Sequence, residues 1–391
     1  MTVGNPSNFR KDDPISGTID LDDEYVTDAW LVDQFVGNQL FTWGQNNFGQ
    51  LGNGTISNYS SPIQIGSLPN WKQVACGYQF TVAIKTDGTL WACGYNNYGQ
   101  LGNGTRTNYS SPIVVGALTN WKQVASGLYF NAAVKTDGTL WTWGSNDSGQ
   151  LGNGTITYYS SPIQVGALTN WKQVLCGQSH TVALKTDGTL WTCGYNGFGQ
   201  LGNGTTTNYS SPIIVGATTF NWKQVACGSY FTAAVKTDGT LWTWGINNFG
   251  QLGNGTITNY SSPIQVGALT NWKQVSCGSY FTAAVKTDGT LWSWGYNNFG
   301  QLGNGTITYY SSPIQVGALT NWKQVACGSY FTAAVKTDGT LWSWGYNNLG
   351  QLGNGTITNY SSPIQVGSLT NWKQVFGGFR HTEAIIFAEI T

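Results

Sequence analysis

The stretch LWSWGYNNFGQLGNGT, Leu291 to Thr306, decides the fold. Its WG or CG pair recurs at Gly44, Gly94, Gly144, Gly194, Gly245, Gly295 and Gly345, and GQLGNGT follows each time without substitution. The seven copies stand 50 residues apart except between Gly194 and Gly245, where the extra residue Phe220 makes TTFNW of the usual LTNW. Such a period means one supersecondary unit per copy, which cannot bury its own faces until neighbours stack on it. The 391 residues therefore read as one large body built by addition of units.

Working outward, each unit parses into four short strands: LWTWG (Leu140 to Gly144), PIQVG (Pro162 to Gly166, with proline at the strand start), NWKQVACG (Asn321 to Gly328) and FTAAV (Phe331 to Val335). Between the fourth and the next first strand stands KTDGT, whose Asp-Gly supplies the positive φ of a tight hairpin. WKQVAC and FTAAV are apolar on both sides, so each sheet must lie between other sheets, and the small residues of ACG and TAAV suit a crowded axis. KTDG occurs six times, at Lys85, Lys135, Lys185, Lys236, Lys286 and Lys336. The missing seventh falls between the chain's extremities: HTEAIIF (His381 to Phe387) has no first strand after it, and LFTWG (Leu40 to Gly44) has no fourth strand before it. Pairing them removes two exposed edges. The expected fold is all-β, a closed seven-bladed propeller of four-stranded antiparallel blades, sealed by the N- and C-terminal strands.

Composition limits what such a body does. Charged residues are 9% of the chain and the net charge is zero, with 53 Gly, 19 Trp and 20 Tyr, which excludes a disordered or polyelectrolyte chain. The zero hides a division. Residues 1–39 hold two basic residues against eight acidic ones, a balance of −6, and residues 40–391 carry +6. The leader is read as a separate acidic region, 1–39, before the repeat body, 40–391. Its composition fits equally an acidic flap on the body or a tether into another protein, with Phe9, Asp20, Asp22, Asp23, Tyr25 and Trp30 as tether candidates. It has no signal-peptide pattern, and no apolar run approaches a membrane span, so a soluble protein made in a reducing cytoplasm is expected.

On the WGxNxxGQLGxG stretch and the HTxAL-like strand at His180 and His381, the chain resembles the regulator of chromosome condensation repeat family over about nine tenths of its length. The resemblance implies the seven-bladed propeller. It implies function only loosely, because relatives include an exchange factor for a small GTPase, chromatin binders, a photoreceptor and a β-lactamase-inhibitory propeller. The photoreceptor's GWRHT tryptophans are missing: Phe379 stands in GFRHT, so light sensing is not expected.

The candidate chemistry is sparse. Cys76, Cys176, Cys227, Cys277 and Cys327 share one place in the unit, while Cys93 and Cys193 stand where other units have Trp; none has CxxC spacing, so no metal and no cofactor is expected. His381 and Glu383 lie two apart on one strand but single out no nucleophile, so no catalytic residue is assigned and the histidines read as hydrogen-bonded structural groups. GQLGNGT lacks the lysine and helix of a phosphate loop. The WKQV lysines recur once per unit, but each KTDG turn sets an Asp beside a Lys, and nucleic-acid binding is not expected. The units differ mainly after CG and after WG (Gln45, Tyr95, Ser145, Ile246). Tyr78, Phe80, Tyr129, Gln178, His180, Tyr230, Tyr280, Tyr330, Arg380 and His381 are therefore the partner-binding candidates. The expectation is a non-enzymatic, aromatic-faced interaction propeller fastened to a larger assembly by its leader, such as a phage tail, neck or fibre. The alternatives are a regulatory module of the guanine-nucleotide-exchange type, or a glycan binder using the tyrosines of NYSS and YYSS.

Overall fold

The computed structural model describes residues 36–388 apart from 67–69 and 217–220. The leader candidates Phe9 to Trp30 and the inserted Phe220 lie outside these residues. Seven four-stranded antiparallel sheets form the body, and each full blade repeats one order from axis to rim. In the first blade the inner strand is Trp71–Cys76, the second Phe80–Lys85, the third Leu90–Gly94 and the outer Tyr109–Val114. We call the end carrying the Cys-Gly turns the upper face and the end carrying the KTDG turns the lower face. The closing blade takes Trp372–Gly377 and His381–Ala388 from the C-terminal part and Val36–Gly44 and Tyr59–Gln64 from the N-terminal part. Its central register pairs Leu40 with Ile385 and Gly44 with His381, as the missing turn required. The opening strand starts at Val36, four residues before the expected boundary.

The outer strand corrects the sequence reading. It runs from Tyr159 to Gln164, so Pro162 is its fourth residue and not its first. Proline is tolerated because this strand is the free edge, and its register on the third strand already shifts between Tyr159 and Ile163. The second strand, by contrast, is buried at every position (Phe331–Lys336). Its alanines and valines feed the inter-blade cores: Val82 of one blade clusters with Trp121 and Trp143 of the next.

GQLGNGT is more than a turn; it is the clasp between blades. Gly54 N donates to Ser110 O of the next blade (2.8 Å), and the Gln100 carbonyl accepts Trp143 Nε1 (3.0 Å). Where Cys93 and Cys193 replace that tryptophan, their thiols face the equivalent carbonyls of Gln50 and Gln150 at 3.5 and 3.7 Å. Gly303, at φ +73, leaves no room for a Cβ, which would come within 2.5 Å of Trp344 Nε1. Invariance of the motif follows from this approach.

The KTDG lysines do not form a solvated charge. Lys135 Nζ lies 4.8 Å from the Trp121 ring and 3.5 Å from that of Trp141, a cation–π sandwich repeated in all six turns. The Asp137 carboxylate accepts from Thr139 N and Oγ1 at 3.0 and 2.6 Å, which with the nearby lysine holds it below its usual pKa.

Candidate functional site

Seven turns between the inner and second strands, five of them Cys-Gly and the others Ser126-Gly127 and Gly377-Gly378, bring the residues that follow them to the upper mouth of the axial channel. The mouth is ringed by Tyr78, Leu128, Gln178, Ser229, Ser279, Ser329 and Phe379. Backbone bonds run round it from blade to blade, Leu128 N to Gln178 O at 3.2 Å and Ser279 N to Ser329 O at 3.1 Å. The ring is lopsided. Phe379, Tyr78 and Leu128 make one bulky apolar arc, with Tyr78 packed edge-on to Phe379 at 4.6 Å, and the three serines make a small polar arc opposite. Five cysteines line the channel below, where burial pushes their thiols up, that of Cys327 to about 12.

One residue further along each turn, the side chains lean outward into an aromatic belt. Tyr129 packs on Tyr98 at 4.7 Å and on Tyr78 at 5.7 Å, and burial raises its hydroxyl to about 12. Tyr230 packs on Phe198, Tyr280 on Phe249 and Tyr330 on Phe299, at 5.4, 5.4 and 5.5 Å. The partners come from the NNFG loops after WG, so the two variable regions of the sequence form one surface. Ser145, Asp147, Ser148 and Ser179 interrupt the belt between the second and third blades, and Arg380 enters it beside Tyr330. Outside it, Ile56, Ile156, Ile257, Ile307 and Ile357 of the GNGT loops are 63–66% exposed. These isoleucines were missed in sequence; apolar residues repeated inside a polar loop were the available signal.

Of the ten candidates, Tyr78, Tyr129, Gln178, Tyr230, Tyr280, Tyr330 and Arg380 are half-buried on this face. Phe80, His180 and His381 are 0% exposed and cannot meet a partner. The third residue after Cys-Gly opens the second strand and points into the seam. His180 Nε2 lies 3.2 Å from Thr232 Oγ1 and His381 Nε2 3.3 Å from Thr81 Oγ1, each across a blade boundary, and burial depresses the rings to about 3 and about 4. The tyrosines opening YSS are half-buried too, Tyr109 and Tyr310 against inter-blade cores, while Tyr309 of a YYSS loop is exposed.

At the closing seam Cys76, His381 and Glu383 offer ligand atoms within 4.8 Å of one another, a juxtaposition that spacing alone did not reveal. Glu383 is fully buried and its carboxyl is pushed up to about 8 by desolvation, against the pull of hydrogen bonds with Thr81 and Cys76. Its oxygen lies 2.5 Å from Thr81 Oγ1. The 3.9 Å approach of His381 to Glu383 thus joins two neutral groups at pH 7, not an ion pair.

Comparison with known proteins agrees with this architecture. Residues 122–384 match the family described as RCC1-like domain, and residues 38–84 and 87–134 match the regulator of chromosome condensation (RCC1) repeat. The human E3 ubiquitin-protein ligase HERC2 is 42% identical over 45 residues, 12% of this chain, which spans about 1% of that relative's length. Human WBSCR16 superposes with a TM-score of 0.82 at 24% identity, covering 90% of this chain and all of that one. Prp20p of Saccharomyces cerevisiae, described with its binding properties to Gsp1p and histones, gives 0.80 at 20% identity, covering 93% and 95%. The yeast protein bound to Kap60 gives 0.82 at 19% identity, covering 99% and 97%. At these identities the structures share the fold.

Proposed function

The chain belongs to the RCC1-like domain family, and from that premise we propose that it is a protein-binding regulator whose upper face receives a protein partner, with a small GTPase of the nucleotide-exchange type as the partner class. The observation that supports this reading is the lopsided mouth. Nearly identical blades are made unequal at Tyr78, Leu128, Gln178 and Phe379, inside a belt rich in tyrosine with Arg380 at its edge. Rigid aromatic groups with polar tips, close to an arginine, are the composition of protein-recognition hot spots. The partner class comes from the family resemblance and from Prp20p, whose description names Gsp1p. A virion role draws no support from the relatives matched and is set aside.

Such a protein acts by binding and not by turning over a substrate. It would hold a GTPase in a form with weakened nucleotide contacts, so the nucleotide leaves faster. The test is release of a fluorescent GDP analogue from small GTPases of the same source, with the full chain and with Tyr129→Ala and Arg380→Ala. Accelerated release, reduced at least about tenfold by either substitution, a loss of about 1.4 kcal/mol, is expected. Release at the intrinsic rate from every GTPase offered would overturn the exchange reading.

A further inference from the structure

We propose that the seven WKQV lysines form an axial binding site for an acidic polypeptide segment, and that its occupant is this chain's own stretch from Asp20 to Asp33.

The lysines stand near the lower ends of the inner strands, all but Lys72 following a tryptophan bonded to the KTDG turn of the preceding blade, as Trp322 N is to Gly289 O at 3.1 Å, and so at the opposite end from the aromatic face. Each is the extra residue of a bulge in the inner strand; in the fourth blade the register steps from Trp222 to Gln224 and passes over Lys223. A bulge redirects a side chain out of the ladder. The adjacent glutamine reaches to the next inner strand, as Gln224 Nε2 does to Val275 O at 2.9 Å, which holds neighbouring inner strands together; Lys373 Nζ itself lies 4.3 Å over the Phe387 ring. Lys323 is close enough to contribute, after burial, to depressing the Lys373 ammonium. Lys122, Lys223, Lys273 and Lys323 are exposed and have no ion-pair partner among the described residues.

Two facts then point to the occupant. The six KTDG lysines are matched by the six aspartates of the same turns, so the net positive charge of the lower face rests on the ring. The closing blade alone lacks such a turn, and the leader enters in its place. Asn38 O accepts from Asn70 N at 3.0 Å, two residues before Lys72, so the −6 segment joins the body at the rim of the positive ring. The 16 residues from Asp20 to Val36 span up to roughly 50 Å, and such a tether gives an effective concentration on the order of millimolar. Occupation would screen the like charges of the ring.

The test is zero-length carbodiimide coupling of the dilute full chain at about 50 mM and about 500 mM salt, with the links mapped by mass spectrometry. Links from Asp20, Asp22, Asp23 or Glu24 to Lys172, Lys223 or Lys273, within the monomer and at least about fivefold weaker at high salt, are expected. Links confined to Asp28 and Asp33, which the tether alone brings near, overturn the proposal, and so do links found only in a dimer band. In a second measurement, a labelled peptide copying residues 18–34 is titrated onto the full chain and onto its variant D20N/D22N/D23N/E24Q. Binding about tenfold tighter to the variant, whose internal competitor is neutralised, is expected; equal affinities would overturn the proposal. The upper face takes no part in either measurement, so failure here leaves the partner reading intact.

Discussion

Glu383 stands where the other second strands carry Ala or Val, and across the seam Cys93 stands where most blades carry Trp. The two exchanges leave a small cavity lined by both residues, and a carboxyl in an apolar seam. Its folded pKa, about 8, lies above the ordinary 4.5, so the stability it contributes is full below 4.5 and is lost as pH rises through 8. His180 and His381 act in the opposite sense: their folded values, about 3 and about 4, lie below 6.5, so their contribution is full above 6.5 and is lost as pH falls. Stability is therefore expected to peak near pH 6.5, and Glu383→Gln should flatten the decline from 6.5 to 8 and steepen the rise from 4.5 to 6.5, where the carboxyl opposes the histidines; the buried thiols leave a decline near 9 in both proteins. Melting temperatures of both proteins from pH 4 to 9 check this, and parallel profiles would refute it. At Gly303, alanine must adopt φ +73 against the Trp344 indole, and Gly303→Ala is expected to cost more than about 2 kcal/mol in denaturant unfolding. The sequence showed that this glycine never varies. It did not show why, because the obstructing ring belongs to the next blade.

Among the elements, the inner strand joins the blades. Gln224 accepts from Val275 N and donates to Val275 O, both at 2.9 Å, and so copies a peptide group across the gap between blades. Gln224→Ala leaves both backbone groups without this partner and is expected to cost about 1–3 kcal/mol, measured by urea unfolding; a loss below about 0.5 would show that the bridge is ornamental. Strand identity was legible in WKQV, FTAAV and LWTWG because period and turn chemistry agreed. The outer strand was misplaced because Pro162 looked like a boundary, whereas the free edge tolerates it in mid-strand. The candidate face was half legible for a related reason. Variation after Cys-Gly marked the right turns, but strand alternation sends the third residue inward, so Phe80, His180 and His381 became core while their neighbours became surface.

For the molecule as a whole, one missing turn carried the topology. Six KTDG hairpins for seven copies require the chain's two ends to supply the last pairing, and this was readable without coordinates. Proximity across the seam was not, since Cys76 and Glu383 are more than 300 residues apart in sequence. Closure also places three of the features that break the sevenfold likeness, Phe379, Arg380 and the leader's entry, in one blade. Native-state hydrogen exchange of the full chain tests that closure most directly. Amides of Leu40–Trp43 and Thr382–Ile385 are expected to exchange as slowly as those of Leu291–Trp294 and Thr282–Val285, their counterparts in a blade formed from continuous chain. Exchange at the terminal strands faster by orders of magnitude, with the fifth blade still protected, would mean an open ring and would contradict the account.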